Sequence, residues 1–185
     1  MTKICGIDEA GRGPLAGPVV AAAVILPKGF PVSQLKDSKK LSEPRRKKLY
    51  YQITSETQYW ATGWVWPEEI DRINIHQASL LAMQRAFRGI NTKPLKVYVD
   101  GAFKPALDCP TEAVIKGDNL IPVIMAASII AKCTRDLWME RYSRIAPEYL
   151  YEKHKGYPTK IHRERIKIWG LSPIQRKTFR SGVFV

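Results

Sequence analysis

Residues suited to soft-metal binding or cross-linking are few in this 185-residue chain. Its three cysteines, Cys5, Cys109 and Cys133, form no CxxC pair, so neither a disulfide framework nor a zinc knuckle is signalled. The three histidines, His76, His154 and His162, are scattered, and none is paired with a cysteine at ligand spacing. Reduced, buried or half-buried thiols in a cytoplasmic protein are the expectation. No apolar run approaches the ~20 residues of a membrane span; the longest goes from Pro18 to Pro27. Asp8 and Glu9 fall where a signal peptide needs its apolar core, so no secretory signal is expected. Internal repeats, low-complexity linkers and domain seams are absent, and the length favours one domain over residues 1–185.

Acidic residues are scarce too. Seventeen Asp and Glu face thirty Lys and Arg, a net charge of +13. Hydrophobic residues make up 45% and charged residues 25%, the balance of a globular protein and not of a disordered one. A surplus of cations this large points to a polyanionic partner, most often nucleic acid. A ribosome-associated or merely basic protein is the alternative on composition. No segment gathers the basic residues on an amphipathic helix with a strong apolar face, which argues against a membrane surface.

Patterning predicts a mixed α/β sheet. Strands are expected at Lys3–Asp8, Val19–Leu26, Ala61–Trp66, Lys96–Asp100 and Glu112–Asp118. Ser42 before Glu43-Pro44 opens a helix to about Thr57. A second helix follows Pro67 and stops at Gly89, with Ile73, Leu80, Leu81, Met83 and Phe87 at helical spacing. A long helix from about Pro122 to Ile145 and a short one over Ile161–Trp169 complete the reading.

Three of these strands are expected to end in acids: Asp8 with Glu9, Asp100, and Asp118. Carboxylates at neighbouring strand ends can converge at a sheet edge, where ligands of open α/β sheets sit. Gathered together they repel unless cations neutralise them, and oxygen-only ligands select hard ions such as Mg²⁺ or Mn²⁺. An acidic focus in a basic protein suits attack on a phosphodiester assisted by two divalent ions. Each acid taken singly also reads as a solvated or helix-capping residue. The spacing leaves three possibilities open: a metal-dependent nuclease, a non-catalytic nucleic-acid binder, and a ribosomal-type structural protein.

The run Asp8-Glu9-Ala10-Gly11-Arg12-Gly13-Pro14-Leu15-Ala16-Gly17-Pro18-Val19 resembles the signature of bacterial ribonuclease HII. The resemblance continues in order through Asp37-Ser38-Lys39-Lys40-Leu41, Asn74-Ile75 with Ala82-Met83, Val99-Asp100-Gly101 and Lys116-Gly117-Asp118. It then takes in Ala126-Ala127-Ser128-Ile129-Ile130-Ala131-Lys132, Thr134-Arg135-Asp136, and Gly156-Tyr157-Pro158-Thr159 with His162. The family implies an RNase H-like mixed sheet flanked by helices, with a small helical C-terminal part, about residues 147–185, closing over the substrate.

By the same resemblance, Asp8, Glu9, Asp100 and Asp118 hold two divalent ions, Mg²⁺ or Mn²⁺. Asp8, at the end of the strand expected to be central, is the candidate bridging ligand. The implied reaction is endonucleolytic hydrolysis of the RNA strand of RNA–DNA hybrids, and cutting 5′ to a single ribonucleotide embedded in duplex DNA. Products carry 3′-hydroxyl and 5′-phosphate ends. The Gly11-Arg12-Gly13 turn is implied to read the 2′-hydroxyl, with Tyr157 packed on the sugar. Read from the residues alone, the first is a plain tight turn and the second a surface tyrosine.

Phosphates are assigned to Lys39 and Lys40, to Arg45, Arg46, Lys47 and Lys48 beside them, and to a basic tail that includes Lys155, Arg163, Arg165 and Arg176. Ser128 and Lys132, one helical turn apart, form a plausible phosphate pair. Departures from the family pattern are the apolar run after Asn119, Met125 in place of a small residue, and Gln175 where His is common. The related ribonuclease HIII class is disfavoured by Arg12, where that class usually has Lys, and by the proximity of Asp8 to the first residue. A monomer is expected, because no surface stripe demands a partner.

Overall fold

The computed structural model describes residues 3–35 and 42–179. Five strands form one mixed sheet in the order β3-β2-β1-β4-β5. They are β1 (Ile4–Ala10), β2 (Val19–Val24), β3 (Trp60–Val65), β4 (Lys96–Asp100) and β5 (Thr111–Val114). β1 is central, antiparallel to β2 and parallel to β4; β2 and β3 are antiparallel, and β4 and β5 parallel. All of VVAAAV in β2 is buried, the continuous apolar run of a strand covered on both faces.

Helices α1 (Glu43–Glu56) and α3 (Pro122–Tyr142) cover one face, packing Ala126, Ala127 and Ile130 on Ala22 and Val24. Helix α2 (Pro67–Arg88) covers the other with Ala78, Ala82 and Ala86 on Val19, Ala21 and Ala23. Small residues let these layers touch backbone to backbone. A Cβ at Gly6 of β1 would lie 2.2 Å from the Val123 carbonyl carbon, so α3 rests directly on the central strand. This contact carries the start of α3 over the end of the sheet where the acids lie.

Two short helices follow, α4 (Tyr151–His154) and α5 (Lys160–Trp169). α4 and the last stretch of chain share a core cluster of Ala16, Met139, Tyr149, Tyr151 and Ile174. The chain then returns to the N-terminal region, where Gln175 bridges Ala16 and the Arg176 N–H donates to the Leu15 carbonyl at 2.8 Å. Cys5, Cys109 and Cys133 are free, as expected, and burial pushes the Cys5 and Cys133 thiols up to about 12. No described helix is long and apolar enough to cross a membrane.

Three expectations are corrected. β5 ends at Val114 and does not reach Asp118. Lys116 adopts a left-handed conformation (φ 58°) and turns the chain into a 3₁₀ turn over Gly117–Asn119, so Asp118 arrives on a turn. α3 stops at Tyr142, short of Ile145. α2 is interrupted at Asn74 (φ 66°, ψ 164°), whose Oδ1 accepts from the His76 and Gln77 N–H groups and restarts the helix.

Candidate active site

Pairing of Ile7 with Val99 in the parallel β1–β4 ladder sets Asp8 beside Asp100. Both follow residues that face the α2 layer, Ile7 and Val99, so by alternation they face α3. The 3₁₀ turn docks onto this pair, with the Asp118 N–H donating to Asp100 Oδ1 at 3.2 Å. A Cβ at Gly117 would lie 2.5 Å from Ile124 Cδ1 and 3.5 Å from Asp100 Oδ1, so glycine lets the turn approach. Asn119 Nδ2 donates to Asp118 Oδ1 at 3.0 Å. The structure brings Asp8, Asp100 and Asp118 to one end of the sheet, with Asp118 delivered by a turn and not by the strand expected for it.

The electrostatics are those of crowded anions. Asp8 is held well above the usual carboxylate range, first by burial and then by Glu9 and Asp100; the Glu9 N–H and the Ser128 hydroxyl pull the other way. Burial also raises Glu9, against the opposing charge and hydrogen bond of Arg12, whose Nη1 lies 3.3 Å from Glu9 Oε1. Glu9 Oε2 is buried with no hydrogen-bond partner. An uncompensated carboxylate oxygen beside a second destabilised carboxylate is a site short of positive charge, and its all-oxygen donors match a hard divalent ion. Among the described residues no three such side chains already stand as a preformed metal cluster. The residues nevertheless fit such an ion by donor chemistry and charge.

Beside the acids opens a groove of about 410 Å³, lined by Glu9, Gly11, Arg12, Gly13, Arg46, Ser128, Lys132 and Tyr157 among others. The expected substrate residues Gly11, Arg12, Gly13, Ser128, Lys132 and Tyr157 thus share one surface with Glu9. Asp8, Asp100 and Asp118 do not line it. Gly11 has φ +98°, and a Cβ there would lie 2.2 Å from Arg135 Nε, so only glycine fits. A Cβ at Gly13 would lie 4.0 Å from Tyr157 Cε1, and the tyrosine ring lies under Lys132 Nζ at 5.3 Å and Arg135 Cζ at 5.8 Å.

Tyr157 is anchored through its backbone. His162 Nδ1 donates to the Tyr157 carbonyl at 3.0 Å, and the Tyr157 N–H donates to the His154 carbonyl at 2.9 Å. The two imidazoles stack with centroids 4.4 Å apart. Burial, then His154, lowers His162 to about 4.

Several basic residues are placed otherwise than expected. Lys132 is shared with Asp136 at 2.8 Å. Lys47 pairs with Glu43 and Glu140, and Lys155 with Glu140. Arg176 is 1% exposed and faces inward, because three carbonyls receive it. Arg46 does line the groove. Lys39 and Lys40 lie outside the described residues.

The sequence reading missed Arg135 and Arg176 as buried residues, His154 and His162 as supports of Tyr157, and Asp71 as an anchor for the last turn. One signal was available for Arg135. It lies one helical turn from Ala131 and Met139, on the apolar stripe of α3.

Residues 5–181 match the family model described as Ribonuclease HII. The Ribonuclease HII of Treponema denticola is 52% identical over 95% of this chain and 97% of its own length. That of Delftia acidovorans is 51% identical over 95% of this chain and 75% of its own. In three dimensions the chain is similar to the ribonuclease H2 of Pyrococcus horikoshii, with TM-score 0.82 and 28% identity, covering 97% of this chain and 94% of that one. It is also similar to the Archaeoglobus fulgidus protein of a PCNA:RNase HII complex, with TM-score 0.77 and 27% identity over 96% of this chain and 95% of that one. The chain therefore belongs to the ribonuclease HII family and is a ribonuclease H endonuclease.

Proposed function

We propose that the enzyme hydrolyses the RNA strand of RNA–DNA hybrids and also cuts 5′ to a single ribonucleotide embedded in duplex DNA, leaving 3′-hydroxyl and 5′-phosphate ends. One observation carries this reading: the groove holding the Gly11–Gly13 turn and Tyr157 opens directly beside the crowded carboxylates. Sugar recognition and phosphodiester attack can therefore act on adjacent atoms of one nucleotide.

Asp8, Glu9, Asp100 and Asp118 are the residues to hold divalent ions. Two such ions, Mg²⁺ or Mn²⁺, would supply an activated water and stabilise the departing 3′-oxygen. The protein's own part is positioning. The Gly11–Gly13 backbone comes within reach of a 2′-hydroxyl, a group that both donates and accepts and so tells RNA from DNA. Tyr157 packs its ring on the sugar at the RNA–DNA junction. Ser128, Lys132 and Arg46 face the flanking phosphates in the groove, and Lys39 and Lys40 are assigned to the same task. Cations of the tail, the exposed Arg163 and the half-buried Arg165 among them, add salt-dependent affinity without reading sequence.

The test uses end-labelled duplex DNA with one ribonucleotide, incubated with wild type and with Asp100→Asn in Mg²⁺, in Mn²⁺ and in EDTA. Metal-dependent cutting immediately 5′ to the ribonucleotide is expected, reduced by about a thousandfold or more in the variant. Cutting of a long hybrid while this duplex stays whole would remove the roles given to the turn and Tyr157. Binding of both substrates without cutting either would make the protein a binder.

A further inference from the structure

Arg135 and Arg176 are two fully buried guanidinium groups that form no ion pair with a carboxylate among the described residues. Their N–H groups are spent on backbone carbonyls. Arg135 donates to Pro18, Ala16 and Lys155 at 2.9, 3.1 and 3.0 Å. Arg176 donates to Gly17, Arg12 and Gly11 at 2.9, 3.1 and 2.6 Å. Burying two like charges side by side is unfavourable, and Arg176 is lowered to about 9 by burial and then by Arg135. It stays protonated at neutral pH, with all three bonds available.

Those bonds fall on a particular pair of peptides. A trans peptide is planar, with its C=O and N–H pointing in opposite directions. Because the Gly11 and Arg12 carbonyls point inward to Arg176, the N–H groups of Arg12 and Gly13 point away from it, toward the groove that these residues line. Arg135 fills the space beneath Gly11 from the other side. Arg176 itself is held by the return of the chain. Gln175 bridges Ala16, the Gly17 N–H donates to Ile174 O at 2.8 Å, and Asp71 accepts from the N–H groups of Lys177 and Thr178 at 2.8 and 3.0 Å.

We propose that Arg176 is a positioning residue for ribonucleotide recognition: it sets the peptides of the Gly11–Gly13 turn so that their N–H groups face the substrate. The last described segment, residues 172–178, is then a working part of the 2′-hydroxyl reader and not only a strut. The inference rests on the reading of the turn given above, and the experiment separates the two.

Affinity for duplex DNA with one ribonucleotide is compared with affinity for the all-DNA duplex of the same sequence, by fluorescence anisotropy, in the uncut Asp100→Asn background. The readout is the ratio of the two dissociation constants, which does not depend on the fraction of protein that is folded. Lysine at 176 keeps the charge but cannot span three diverging carbonyls, so Arg176→Lys is expected to shrink the preference by about tenfold. Asp71→Asn, which loosens the return without touching the guanidinium, should shrink it by about two- to threefold. A strut alone predicts a lower melting temperature in both variants with the ratio intact, and that result overturns the proposal. Where Arg176→Lys fails to fold, Asp71→Asn decides, and an unchanged ratio there overturns it equally. A parent protein with no preference for the ribonucleotide duplex rejects the reading of the turn, and the proposal falls with it.

Discussion

Two pairs of buried like charges meet at the same N-terminal stretch, one packed against it from distant parts of the chain and one belonging to it, and the fold treats them in opposite ways. Arg135 and Arg176 are enclosed by carbonyls that satisfy them from within the protein. Asp8 and Glu9 crowd each other and Asp100, and Glu9 Oε2 has no partner. A charge solvated by its own backbone is structural, whereas a charge left wanting is where something from outside binds. Burial alone does not separate the two cases; the accounting of hydrogen bonds does.

Removing a member of each pair should therefore change stability with opposite sign. Arg135→Ala strands three buried carbonyls and should cost about 3–5 kcal/mol, read as a loss of denaturant midpoint. A cost below about 1 kcal/mol would mean water replaces the guanidinium easily, and the comparison would break.

The histidine support of Tyr157 sharpens the comparison by titration. His162 has a folded value of about 4 against 6.5 when unfolded, so the unfolded chain takes up the proton first. Its contribution is full above about pH 6.5 and is lost as pH falls toward 4, about 3 kcal/mol in all. Denaturation at pH 7, 5.5 and 4.5 should show that slope, and His162→Gln should flatten it.

The smallest effect has the most telling sign. Asp8→Asn relieves repulsion, so without divalent ions it should raise stability by about 1 kcal/mol while abolishing cleavage. A lower melting temperature in EDTA would show that the anion is satisfied after all.

How much of this was legible in the sequence follows from which forces leave local marks. The strands ending near acids, the glycine turn and the small-residue face of α3 are local patterns, and they appear where expected. Asp118 was found as a residue but misplaced on a strand, because a left-handed Lys116 has no side-chain signature. Arg176 was read as a phosphate-binding cation of the tail, and Arg135 was given no role of its own. What buries them is a set of carbonyls far off in the chain, 117 residues away for Arg135 and Pro18 and 165 for Arg176 and Gly11. Backbone carbonyls are the same in every residue, so composition and periodicity do not reveal them.

The separation between Arg176 and the turn it braces also has a consequence in time. Ribosomes add about 5–20 residues per second, so at least roughly eight seconds pass between synthesis of Gly11 and of its guanidinium partner. Throughout that interval the nascent chain already carries the acids of β1 and, later, those of β4 and the 3₁₀ turn, but not the brace for the turn beside them. Sugar discrimination should thus be among the last properties the growing polypeptide acquires, and a message cut short near its end would yield a protein with its acids in place and its reader unbraced.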